Sequence, residues 1–438
     1  MEQRRQGFLM VILAMLSVFF VANILKILQP REVKNIFPTI KISLNDTDIE
    51  EIYNGTKQTK YAGNDLILSL DGKDITFNEI TIKGRGNSTW GTLKKPFQIE
   101  FAKKVDLFGM GKAKKWIFLA NRFDATNLRN DTAFYVGRML DEKYALQGEF
   151  VHLDLDGHDL GLYYVTPKIE IDKSRVDLKD RLGVLVELDN LHNMDDIAKE
   201  CHRSYVGNCM LIQDAVAHDY EVEAMRDFMK SFNKLEMAAE AGDYEKVKSV
   251  ADTADLAKYY LISEFTVNPD AYVSSYFFFK DGEKDLIHAG PAWDFDFALG
   301  NREWCWSLND DFYSPSITQV QESYAWGGQF YNHATGEMTY VEPDTKISRL
   351  IYWLMKIPEF RKEVVNIFRT KMAGRSDELI GYITRRASLT FEEAIHDNEL
   401  WGRTNYDTEL TGFINWVRDR FSHFEDTYNE SFYAIIEE

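Results

Sequence analysis

Apolar side chains alternate with polar ones in short runs between 37 and 101, and from about 214 to 264 they return every third or fourth position. A strand shows one face every two residues and a helix every 3.6, so this change of period sets the order of the chain. Phe37 to Ser43, Asp65 to Leu70, Asp74 to Lys83, Phe97 to Phe101 and Trp116 to Ala120 read as strands. Phe150 to Asp154 and Leu160 to Val165 flank Asp156-Gly157, a pair that favours a tight hairpin turn. Asp124 reads as the N-cap of a helix running to about Leu140. Beyond 214 the recurrence of Val222, Met225, Phe228, Met229 and Phe232 is helical, and Tyr276 to Lys280 with Leu286 to Ala289 predicts one short hairpin around Asp281-Gly282. The expectation is an α+β chain with a β-rich N-terminal lobe over 37–213 and a mostly helical C-terminal lobe over 214–438.

At 438 residues, with 45% apolar side chains, the chain can bury two adjoining cores, since single cores split beyond roughly 250–300 residues. Its formal charge of -19 argues against a nucleic-acid partner, because a broad phosphate-binding face needs clustered cations. One basic stretch stands out, with Lys94, Lys95, Lys103, Lys104, Lys112, Lys114 and Lys115; its plain reading is a solvated face of strands. Three cysteines make neither a disulfide scaffold nor a four-ligand zinc site, although Cys201 and Cys209 are close enough in sequence to pair.

Gly7 to Leu25 carries no charge and, at 1.5 Å per residue, nearly matches a hydrocarbon core of about 30 Å. The small-x-small pattern of a signal-peptide cut is absent, so the expectation is an uncleaved transmembrane helix between a 1–6 tail and a 26–36 tether. Arg4 and Arg5 before it oppose Lys26, Arg31 and Lys34 after it; a short basic tail ahead of a first hydrophobic helix favours a single-pass protein with its bulk outside the cytoplasm.

Three constellations can carry chemistry. The first is a glycine-rich turn between strands, Lys83-Gly84-Arg85-Gly86-Asn87-Ser88-Thr89-Trp90, followed by Lys94-Lys95-Pro96. Its glycines open backbone N–H groups to an anion, and Arg85, Ser88 and a nearby lysine add charge, though a plain hairpin loop has the same form. The second is Trp116 to Asn130, where Arg129 and Asn130 stand near a helix start, positioned either to support the helix or to line a cleft. The third runs from Asn268-Pro269-Asp270 through Ser274-Ser275 and the hairpin to Trp293-Asp294-Phe295-Asp296. An intervening hairpin can bring Asp270 and Asp294 to one mouth, as phosphoryl transfer requires of an acid that orients a hydroxyl and one that holds magnesium. Asp296 shares the face of Asp294 if the segment is extended; an ordinary strand-end turn is the competing reading.

In this order, KGRGNSTW with KKPFQIEF, WIFLANRFDATNLRN, GLYYVTPKIE with Arg175-Val176, GVLVELD, NPDAYVSSYFFFKDG and PAWDFDFALG resemble the spore coat protein CotH family over roughly 79–300. The resemblance implies an atypical protein kinase with a two-lobe kinase-like fold, using ATP and magnesium or manganese to phosphorylate serine or threonine of surface or coat proteins. It implies Asp270 as the catalytic acid and Asp294 at the metal; Asp296 and Ser275 are the candidate further metal contacts, and Arg85, Asn87, Ser88, Lys95, Arg129 and Glu170 the candidate nucleotide-binding residues. Two positions depart from the family pattern: Ser275 replaces a frequent Asn, and Pro167 replaces a strand-end Glu, for which Glu170 is the stand-in. Those departures leave a catalytically inactive scaffold or adhesin on the same fold as an alternative, and the 9 Trp and 22 Tyr prompt a more remote one, an extracellular carbohydrate-active protein.

Overall fold

The computed structural model describes residues 37–189, 201–268, 270–272, 274–301, 348–403 and 405–428, and the backbone alone of 328–332 and 337–341. The expected tail, anchor and tether lie outside these residues; among those described, no helix is long and apolar enough to cross a membrane.

Seven strands close into a barrel: β1 (Thr39–Leu44), β2 (Lys60–Leu70), β3 (Lys73–Gly84), β4 (Phe97–Asp106), β5 (Lys112–Leu119), β6 (Glu149–Leu155) and β7 (His158–Pro167), in the order β1-β2-β3-β4-β5-β7-β6. The ring is sealed by β1, antiparallel to β2 and parallel to β6. Inward-facing Ile82, Phe97, Ile99, Trp116, Phe118, Val151 and Tyr163 fill it, as the two-residue period requires. Asp156 and Gly157 join β6 to β7 with φ of 54° and 78°, the left-handed pair that matches hairpin twist.

A second sheet has the order β12-β11-β8-β10-β9, from β8 (Gly183–Leu188), β9 (His202–Arg203), β10 (Cys209–Ala215), β11 (Tyr276–Asp281) and β12 (His288–Ala289). β8 lies between β10 and β11, so strand pairing runs straight across the expected lobe boundary at 213/214. Cys201 and Cys209 are disulfide-bonded, with Cα atoms 5.3 Å apart.

Helices cover this sheet. α1 (Ile49–Asn54) belongs to the barrel, and α2 (Arg129–Met139) starts five residues after Asp124. Asp124 therefore sits ahead of the helix, where its carboxylate still accepts the first-turn N–H of Arg129 at 2.8 Å. α3 (Glu221–Glu240) buries Met225, Phe228 and Phe232, whereas Val222 is exposed, outside the stripe the period placed it in. α4 (Tyr244–Lys248) leads to α5 (Thr253–Thr266), capped by Asp252. The backbone hairpin β13 (Gly328–Asn332) and β14 (Glu337–Val341) precedes α6 (Leu350–Lys356), α7 (Pro358–Lys371), α8 (Ser376–Trp401) and α9 (Tyr406–Thr427). The molecule is thus mixed α+β, β-rich at the N-terminal side and helical at the C-terminal side.

Candidate active site

The glycine-rich turn leaves the barrel at the end of β3. A Cβ at Gly84 would stand 2.4 Å from the Trp90 ring, so the indole can lie against the strand only because that residue has no side chain. Arg85 continues the β3–β4 pairing through its N–H on Pro96 O, 3.2 Å away, and lays its guanidinium over the Trp293 ring at 4.9 Å. Among the described residues its guanidinium makes no hydrogen bond, and the charges that act on it are Asp294, Glu187 and Asp296. The ammonium groups of Lys83 and Lys168 likewise make no hydrogen bond or ion pair among the described residues, although the Lys168 N–H donates to Lys115 O at 3.3 Å. Burial and then the positive charge of Lys115 bring the Lys168 ammonium down to about 8, and burial and Lys60 lower that of Lys83. Since Ile82 faces the barrel core, Lys83 faces outward, the same way as Arg85 and Lys168. This outer wall is cationic.

Facing it are carboxylates carried by the second sheet and its loops. Asp270 follows α5, and Asp294 and Asp296 follow β12. Burial, followed by the fields of Asp294 and Asp296, pushes Asp270 up to about 7. Asp296 is pushed to about 7 by burial and Asp294, against the hydrogen bond it accepts from Asn130 Nδ2 at 2.5 Å. Asp294 is raised by burial and held back by Arg85 and by the Ser275 hydroxyl, which donates to its Oδ2 at 3.2 Å. Carboxylates crowded out of water favour the neutral form until a cation arrives. The intervening hairpin therefore does bring Asp270 and Asp294 within each other's field.

The three acids are not a closed ligand cage. Among the described residues, the group of three whose ligand atoms lie within 4.8 Å of one another is Asp252, Asp255 and His288, where His288 Nδ1 pairs with Asp255 Oδ2 at 2.8 Å and Asp252 caps α5. A cage is not needed for magnesium, which takes one or two carboxylates and completes its octahedron with phosphate oxygens and water. Asp294 and Asp296 offer such hard oxygen donors on one segment.

The remaining expected residues divide. Asn87 and Ser88 are exposed on the turn, and Asn87 Oδ1 accepts from Lys57, which also donates to Gly86 O at 2.9 Å. Lys57, an unforeseen neighbour of Arg85, is brought down to about 8, chiefly by burial. Lys95 donates to Trp90 O at 2.6 Å and lies 4.4 Å from the Trp90 ring, so it braces the turn. Arg129 is buried, ion-paired to Asp124 at 2.5 Å and stacked on Phe413, so its guanidinium is committed to the fold. Glu170 pairs with Lys115 at 3.3 Å beside Lys168.

Sequence reasoning left Asn130 open between helix support and cleft lining, and gave Glu142 no role. Asn130 bridges Asp296 and the Phe295 N–H, which it accepts at 3.0 Å. Glu142, pushed up to about 8 mainly by burial, accepts the Ala292 N–H at 2.6 Å and so anchors the segment entering Trp293. Asn130 stood in a quoted motif, whereas an acid just past a helix end gives no signal of its own.

A family profile described as CotH kinase protein matches residues 82–424, well over half of the chain. No curated protein matches it.

Proposed function

The chain belongs to the CotH kinase family, and from that premise we propose that it is a protein kinase that transfers phosphate from ATP to serine or threonine hydroxyls of surface or coat proteins. The observation that carries this reading is the opposition of Arg85, with its guanidinium unengaged by any hydrogen bond among the described residues, to Asp270, Asp294 and Asp296, all three raised above their ordinary carboxylate range. An anion with a bridging cation neutralises both sides at once.

In this reading Asp294 and Asp296 hold magnesium or manganese, which would screen the charge of the phosphates when bound. Arg85 orients the phosphoryl oxygens, with Lys83 and Lys168 along the same wall and the Gly86–Ser88 backbone beside it. Asp270, balanced near neutrality, aims the acceptor hydroxyl and takes its proton. The barrel and the helical part act as two lobes of a kinase-like fold around this cleft. The uncharged 7–25 segment supports a single-pass anchor with the bulk of the chain outside the cytoplasm, and the Cys201–Cys209 disulfide suits an oxidising compartment. An inactive scaffold on the same fold is favoured by one observation: Ser275, at the expected second metal contact, spends its proton on Asp294.

The test is direct. The purified chain is incubated with ATP labelled at the γ-phosphate, manganese or magnesium, and a serine-rich acceptor protein. Acid-stable label on protein that requires the metal supports the kinase; nucleotide binding without transfer supports the scaffold; neither binding nor transfer refutes the nucleotide reading.

A further inference from the structure

Away from the carboxylates, one buried charge cluster ties together distant parts of the chain. Asp397, on α8 and fully buried, is ion-paired to Lys94 at 2.8 Å and to Arg403, and accepts the Leu162 N–H at 2.9 Å. Lys94, equally buried, also donates to Leu162 O at 2.5 Å. Burial and the charge of Arg403 push the Lys94 ammonium well below its usual range, so Asp397 is what keeps two cations in place out of water. Gly161 has φ +73°, and a Cβ there would stand 2.3 Å from Asp397 Oδ1, so the close approach of β7 to α8 depends on that glycine.

From this cluster a chain of hydrogen bonds leads to the acids. Arg403 donates to Asn121 O at 2.8 Å and Asp124 O at 2.9 Å, while Asn398 on α8 holds Ala125 O at 3.0 Å. The Asn121 side chain donates to Asn127 O at 3.0 Å and accepts from Asn130 Nδ2 at 3.1 Å. Asn130 is the residue that touches both Asp296 and the Phe295 N–H. Every member from Asp397 to Asn130 is buried or nearly so, where such bonds are stiff because no water competes for them.

We infer that Asp397 is a positioning residue for the metal carboxylates: it clamps the 121–130 segment through Arg403, and that segment, through Asn130, aims Asp296. The inference rests on the metal reading of Asp294 and Asp296 proposed above. Partners one step beyond a ligand set its orientation, and losing them typically weakens metal binding by about 10–100-fold.

Asp397→Asn and Asn130→Ala, at the two ends of the chain of bonds, are compared with Glu393→Gln. Glu393 is also on α8 and tethers the barrel through His152 at 2.8 Å, but it lies off this route. Manganese affinity is read by electron paramagnetic resonance and amide exchange over residues 292–299 by mass spectrometry. The expected result is manganese binding about tenfold weaker, with faster exchange over 292–299, in Asp397→Asn and Asn130→Ala, and neither change in Glu393→Gln. If Asp397→Asn fails to fold, Arg403→Lys, which keeps a cation beside Asp397 but loses the fork on Asn121 O and Asp124 O, carries the test with the same expected result, and no change in it overturns the inference. Unchanged affinity and exchange in Asn130→Ala, or in a folded Asp397→Asn, overturns the inference. A wild-type chain that binds no manganese refutes the metal reading, and the exchange data then decide the positioning role by themselves.

Discussion

Ser275 Oγ donates a hydrogen bond to Asp294 Oδ2 at 3.2 Å, and both residues hold left-handed backbone, with φ of 53° and 68°. Asn and Asp adopt that conformation more readily than other non-glycine residues. Ser275→Ala is expected to weaken manganese binding by roughly fivefold, the worth of about one hydrogen bond near 1 kcal/mol. Ser275→Asn should keep both fold and affinity. Isothermal titration of manganese into the three proteins checks both statements.

Asp270 and Asp296 titrate near 7 in the folded chain, against about 3.9 when unfolded. Between those values the unfolded chain releases protons that the folded chain retains. Stability of the metal-free protein is therefore expected to fall as pH rises from about 4 toward about 8. Melting temperature in a chelator, followed across that range, should decline more steeply in the wild type than in Asp296→Asn. Added magnesium should restore the wild type at the upper end.

In the kinase reading the two central acids have different jobs. Asp294→Ala is expected to lose metal-dependent nucleotide binding and transfer together, whereas Asp270→Ala should bind metal and nucleotide yet transfer little phosphate. Calorimetric ATP titrations with and without magnesium, run beside label transfer, separate the two. Equal transfer by wild type and Asp294→Ala would show the metal assignment to be wrong.

On the opposite wall, Arg85→Ala should lose about 1.5–3 kcal/mol of ATP binding, the worth of a charge-assisted hydrogen bond, with an unchanged circular dichroism spectrum. Lys168, near 8, should lose its charge as pH rises through that value, so ATP affinity should fall there in the wild type and hold in Lys168→Arg. Lys95→Ala, by contrast, is expected to loosen the Ser88–Gly91 turn that Lys95 braces at Trp90. Fluorescence-detected nucleotide titrations across pH distinguish these three roles.

Local period carried most of the elements and the 156–157 turn, because alternation and helical recurrence depend only on near neighbours. Closure of the barrel was not legible, since the parallel pairing of β1 with β6 joins Thr39 to His152 and leaves no trace in either segment. The same limit hid Asp397 from Lys94, 303 positions away. Lys94 and Lys95 look alike in sequence, yet the loop ahead of β4 turns one into a buried ion pair and the other onto Trp90. Arg129 stayed open between helix support and cleft lining because its ion-pair partner, Asp124, was read as a helix cap five residues away in that same motif. The nearness of the 270 and 294 carboxylates was legible because the predicted hairpin around 281–282 folds the chain back between them.

In the barrel ring β1 is bonded on both sides, to β2 and to β6, so the seam that closes the ring offers no open edge for another polypeptide to extend. Strand addition, the mode that reads main chain and tolerates many sequences, is therefore closed at that seam. In the kinase reading proposed above, selectivity among acceptors is expected to follow the charge and shape of the side chains beside Arg85 and the 270–296 carboxylates rather than pairing at that closed seam.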